Sequence, residues 1–105
     1  MNKYRSHFCN QLNESDSGSS VSISGWIHRK RDHGNLLFID LRDHYGVTQC
    51  VIDKNNEDLL IVAEKLRSES VVSISGHVVL REKETINENL DTGKIEVAIE
   101  KIDIL

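Results

Sequence analysis

The 105-residue sequence contains no proline, so nothing of that kind interrupts an extended ladder. Aromatic residues are only 5% of the chain, and a large ring on a polar face therefore stands out. Its two cysteines, Cys9 and Cys50, lack CxxC spacing, which argues against a redox or zinc motif and for small buried hydrophobes. No apolar run approaches the about 20 residues that a membrane helix needs, and no membrane partner is expected. The polar stretch 1–20 lacks the core of a secretory signal, so the expected location is cytoplasmic. His7, His28, His33, His44 and His77 show no metal-ligand spacing. There is also no Gly-rich phosphate loop and no Ser or Cys in a nucleophile motif, so no self-contained active site, bound cofactor or metal is expected.

What is present fits one small domain over residues 1–105, with residues 1–20 as a short extension and no room for a catalytic domain. The net charge is −4, which disfavours indiscriminate binding to phosphate backbones. The charge is uneven, however: His28-Arg29-Lys30-Arg31 places three permanent cations within four residues. A local positive stripe on an acidic body suits a short, selective nucleic-acid contact.

Val21 and Ile23 alternate with Ser22 and Ser24, the period of a half-buried strand over 21–31. Gly25 interrupts it and predicts a bulge or bend, beyond which facing is not readable by parity. Turn signals at Asp32-His33-Gly34-Asn35 and Asp43-His44-Tyr45-Gly46 bound two further strands, 36–42 and 47–53. Asn55, Asn56, Glu57 and Asp58 offer a cap and early acids for a helix carrying Leu59, Val62, Ala63 and Leu66 and ending near Arg67. A fourth strand, 71–80, sets Val72, Ile74, Val78 and Leu80 on one face. A fifth alternates Ile95, Val97 and Ile99, then changes parity to Ile102 and Ile104, predicting a second bulge around Glu100 and Lys101. Three strands, a helix and two strands match an all-β domain with one helix between strands three and four: a five-stranded Greek-key OB barrel, whose nucleic-acid surface is built around strands two and three.

Strand two is the most informative stretch. Leu37, Ile39 and Leu41 share the core face, leaving Leu36, Phe38, Asp40 and Arg42 outward. An outward Phe38 beside cations is a stacking platform for a base, or else a ring packed under a loop. The run from His28 to Arg31 lies beside the same surface, either to hold phosphates and base edges or as a solvated strand end. Gln49 offers an amide that donates to and accepts from a base edge, but alternation leaves its face open, and a buried satisfied amide is equally plausible. Glu96 alternates outward from Ile95 and Val97, the usual place of a plain surface charge. Asp40 and Asp43 are read as shaping turns and ion pairs rather than as an acid/base pair.

The segment Gly25-Trp26-Ile27-His28-Arg29-Lys30-Arg31-Asp32-His33-Gly34, continued through Leu37-Phe38-Ile39-Asp40-Leu41-Arg42-Asp43, closely resembles the N-terminal region of bacterial aspartyl-tRNA synthetases. Further stretches agree in order, among them Ala63-Glu64-Lys65-Leu66-Arg67-Ser68-Glu69 and Thr92-Gly93-Lys94-Ile95-Glu96-Val97, so the resemblance covers essentially the whole chain. It implies an OB fold that binds the anticodon loop of tRNA for aspartate. Carried over by position, Phe38 resembles the aromatic that stacks on the middle anticodon uridine, and Arg31 and Gln49 resemble the readers of its edge. Glu96 matches a glutamate that helps select a neighbouring base. Arg29 belongs to the basic run beside them, and Arg81 and Asn87 match polar positions in the loop after strand four. His33 before Gly34 resembles the relaxed enzymes that also accept tRNA for asparagine. Val79 departs from relatives with an arginine there, and Thr85 from some with asparagine, so fewer loop contacts are implied. The resemblance further implies a longer parent enzyme, a homodimer using ATP and magnesium in a catalytic domain beyond this chain, and a monomeric state for the piece itself.

Overall fold

The computed structural model describes residues 6, 12–81 and 93–105. Five strands, β1 (Ser20–His33), β2 (Leu36–Arg42), β3 (Val47–Asp53), β4 (Val71–Leu80) and β5 (Ile95–Ile104), close into a barrel in the order β1-β2-β3-β5-β4. One helix, α1 (Glu57–Lys65), lies between β3 and β4. All pairings are antiparallel except that of β3 with β5. The ring closes, pairing both edges an open sheet would expose, because β1 is long enough to pair twice: Ser20 to Trp26 run along β4, and Trp26 to His33 along β2.

Inside, Ile23, Ile39, Leu41, Cys50, Ile74, Val78 and Val97 are among the wholly buried side chains. Cys50 thus behaves as the small hydrophobe expected of it, whereas Cys9 lies outside the described residues. Leu12 joins this core from the segment ahead of β1. Leu80, expected on the same face as Val72, Ile74 and Val78, is instead 56% exposed at the end of β4.

The two expected irregularities have different outcomes. In β5, Lys101 opposes Ser75 and Ile99 opposes Gly76, so Glu100 is the extra residue and the parity change is a bulge where it was expected. In β1, pairing with β4 runs unbroken through Gly25, and the bulge comes three residues later: Ile27 opposes Leu41 and Arg29 opposes Asp40, with His28 unmatched. Gly25 serves another purpose. A Cβ there would lie 2.1 Å from the Arg42 carbonyl oxygen, so glycine is required by close backbone approach as the sheet curls.

The connections follow from local chemistry. Gly34 supplies the positive φ of 64° that the tight β1–β2 turn needs. Asp43 accepts from the backbone N–H groups of Tyr45 and Gly46, an Asx-type turn that gives this carboxylate a structural duty. Asn56 caps α1 by accepting from the Leu59 N–H, while Leu59 and Ala63 carry the buried face. At the other end, the Lys30 ammonium donates to the carbonyls of Ala63 and Leu66, satisfying acceptors and favoured by the helix dipole.

Candidate nucleic-acid interface

The outward face of β1, β2, β3 and β5 is built from the register of the strands. Partners directly opposite in a ladder share a face. Phe38 opposes Arg31 on one side and Val51 on the other, and Asp40 opposes Arg29 and Gln49. Since Leu37, Ile39 and Leu41 point inward with Ile52, Cys50 and Thr48 as their partners, Gln49 takes the outward face. That resolves the ambiguity left by the sequence: Thr48 and Cys50 fill inner places while Val47 and Val51 take outer ones. Gln49 is nevertheless only 5% exposed, because neighbouring polar side chains cover it.

Those neighbours form a connected chain. Arg31 Nη2 donates to Asp40 Oδ1 at 2.9 Å and to Gln49 Oε1 at 2.7 Å. Gln49 Nε2 donates to Glu96 Oε1 at 3.2 Å. The Arg31 guanidinium also lies 5.4 Å from the centre of the Phe38 ring, within the range of a cation–π contact. Phe38, half-buried, is thus braced by a cation on the same polar face.

Arg81 stands apart from the loop-surface placement expected of it. It is 8% exposed, and its Nε donates to the Ile95 carbonyl at 2.8 Å. Burial lowers its pKa from the ordinary arginine value, opposed by the nearby charges of Glu96 and Asp40 and reinforced by Arg31. An arginine keeps its proton regardless, so the side chain is a fixed positive charge set among these groups. Arg29 is exposed opposite Asp40. Backbone pairing places His33 opposite Leu36 at the end of β1. Asn87 and Thr85 lie outside the described residues. Val79 is half-buried opposite Glu96.

The structure therefore brings Arg31, Gln49, Glu96 and Phe38 together, with Arg29 beside them and Arg81 within electrostatic reach of the same charges. It divides the basic run in two. Arg29 and Arg31 share the outer face, whereas Lys30 opposes inward Ile39 and is committed to α1. Asp40 is the member that sequence reasoning passed over as a site residue. Its signal was present: it is an acid on the outer face of strand two, between Phe38 and Arg42. A second aromatic also lies on this sheet, Trp26 opposite Arg42, with its ring 5.4 Å from that of His44.

Comparison with known proteins bears on the chain and its fold. The chain is 57% identical over all 105 residues to the Aspartate--tRNA(Asp/Asn) ligase of Pelagibacter ubique (strain HTCC1062), of which it spans 18%. It is 59% identical over 97 residues, 92% of this chain and 16% of the relative, to the enzyme of the same description from Rickettsia bellii (strain OSU 85-389). Among solved structures, asparaginyl-tRNA synthetase from Pyrococcus horikoshii complexed with asparaginyl-adenylate superposes with a TM-score of 0.79 at 29% identity, over 94% of this chain and 22% of that one. The OBody AM2EP06 bound to hen egg-white lysozyme shares the fold at 23% identity, with a TM-score of 0.84 over 100% of this chain and 96% of that one. A family model described as OB-fold nucleic acid binding domain matches residues 21–105. With a closed five-stranded barrel, one helix between β3 and β4 and that match, the chain belongs to the OB-fold nucleic acid binding domain family.

Proposed function

We propose that this chain is the anticodon-binding domain of an aspartate–tRNA ligase, occupying residues 1–105 with 1–20 as an extension, and that it performs no chemistry itself. The observation that carries this reading is the outward Phe38 ring held beside the Arg31–Gln49 pair. A ring and a fixed set of edge donors and acceptors are what selective single-strand recognition needs. In this reading Phe38 stacks on the middle anticodon base, Arg31 and Gln49 read its edge, and Glu96 meets a neighbouring base. Arg29 steers the backbone and Arg81 sets the charge behind Glu96, and by resemblance His33 and Asn87 belong to the same RNA-binding set. The relatives' shared specificity for Asp and Asn tRNAs extends to this chain, which accepts tRNA for aspartate and tRNA for asparagine.

ATP and magnesium belong to the rest of the longer enzyme. Among the described residues no three or more His, Cys, Asp or Glu side chains are grouped to hold a metal ion. The piece alone is a monomer and the longer enzyme a homodimer working in the cytoplasm. Among the described residues, no helix is long and apolar enough to cross a membrane.

The test is titration of the chain with an aspartate anticodon stem-loop. Phe38→Ala is expected to weaken binding by about 1–3 kcal/mol, the worth of a base–aromatic stack. Unchanged affinity would remove Phe38 from the site. Displacement of the stem-loop by poly-dT at equal nucleotide concentration would favour an OB module that binds single strands without sequence preference.

A further inference from the structure

The Gln49 amide has two orientations that differ only by exchange of its oxygen and nitrogen, and the choice decides what a base edge meets. Uracil presents an acceptor at O4 and a donor at N3, whereas cytosine presents a donor at N4 and an acceptor at N3. An amide turned over would therefore favour the other pyrimidine. In this protein the two ends of the amide face groups of fixed polarity. Arg31 only donates and lies 2.7 Å from Oε1, and the carboxylate of Glu96 only accepts and lies 3.2 Å from Nε2. Turning the amide over would set donor against donor at one end and acceptor against acceptor at the other, in a place only 5% exposed.

The Oε1 half of this lock holds only while Arg31 stays where it is. The Arg31 side chain is 36% exposed and long enough to leave toward solvent, and the same Nη2 that meets Gln49 is held by Asp40 at 2.9 Å. Asp40 is itself 18% exposed, recessed beside Arg31 on the outer face of β2. It is fixed by the strand rather than by a loop, which gives the carboxylate a defined position.

We propose that Asp40 is a positioning residue for specificity: by holding Arg31 it fixes the Gln49 amide, and the chain Asp40–Arg31–Gln49–Glu96 selects uracil over cytosine at the base stacked on Phe38. The proposal rests on the anticodon reading given above. Asp40 needs no contact with the RNA, and its carboxylate would repel phosphate if anything. Its removal is therefore expected to relax selectivity more than affinity.

The experiment measures Kd of the 105-residue chain for two stem-loops that differ only in U or C at the middle loop position, with thermal melting of each variant alongside. In Asp40→Asn the preference for U is expected to fall by about tenfold, roughly one base-edge contact, while affinity for the C loop holds or rises. Asp40→Asn added to Gln49→Ala is expected to change the preference no further, since both act through one amide. Equal weakening toward both loops, or a preference unchanged in a folded Asp40→Asn, overturns the proposal. Additive loss in the double variant does so too. If the unaltered chain binds neither stem-loop, or Phe38→Ala binds as well as it does, the anticodon reading has failed instead. Should Asp40→Asn melt at the assay temperature, Asp40→Glu, which keeps the charge, replaces it and is expected to retain most of the preference. Its failure to do so in a folded protein also counts against the inference.

Discussion

The two faces of β2 make a useful contrast because they share a backbone and differ in everything else. Inward, Leu37, Ile39 and Leu41 meet other hydrocarbon and are no more than 9% exposed. Outward, Phe38 and Asp40 both meet Arg31, which in turn meets Gln49. Packing inside is non-directional and tolerates any well-shaped apolar group. Packing outside depends on polarity, since each hydrogen bond fixes the direction of the next. Gln49 shows that an outward face is not the same as a solvated one, because it is as hidden as much of the core.

The division can be tested by substitution. Ile39→Ala removes a wholly buried side chain and is expected to cost about 2–5 kcal/mol of stability in denaturant unfolding, with any binding loss tracking the unfolded fraction. Gly25→Ala tests the close approach of β1 to the β2–β3 turn. Its Cβ would meet backbone 2.1 Å away, and the expected loss is about 1–3 kcal/mol of stability without a change in sequence preference in the folded fraction. Lys30→Met, on the core-facing side of the basic run, is expected to lower stability by about 0.3–1 kcal/mol through the lost helix cap, read by thermal melting, and to leave RNA selectivity alone. Arg29→Gln, one residue away on the other face, reverses that pattern. Stability is expected to hold, affinity to fall slightly for every RNA sequence, and the slope of log K against log salt to become about 1 unit shallower. If Lys30→Met altered the salt slope as Arg29→Gln does, the separation of the two cations would collapse.

Much of this was legible in the sequence because β-structure writes a period of two wherever apolar and polar residues alternate. Leu36 to Ile39 are all apolar, but Asp40 and Arg42 on either side of Leu41 mark the outward phase, so the outward Phe38 was readable, as was the shift at Glu100, where isoleucines on both sides mark the phase. The same reading failed where that contrast vanished. From His28 to Asp32 every residue is polar, so no apolar side chain records where the extra residue falls. Lys30 and Arg31 were indistinguishable until the pairing was known. Around Gln49 the difficulty is the reverse, with moderately apolar side chains on both faces. Asp40 was visible but went unselected, because what it does depends on an arginine from a different strand. The burial of Arg81 similarly follows from β5 crossing beside it, which no local pattern encodes.

The unmatched His28 makes the identity of the outer face a matter of counting. With regular pairing from Ile27 onward, His28 would oppose Asp40 and Lys30 would oppose Phe38, leaving both arginines turned toward the core. A length change of one residue between Ile27 and Arg29 thus exchanges the occupants of two surfaces while almost preserving composition. Alignments across that site keep the outer-face residues in register only when the gap is placed at the bulge, and libraries that vary strand length have a switch there that substitution libraries never reach.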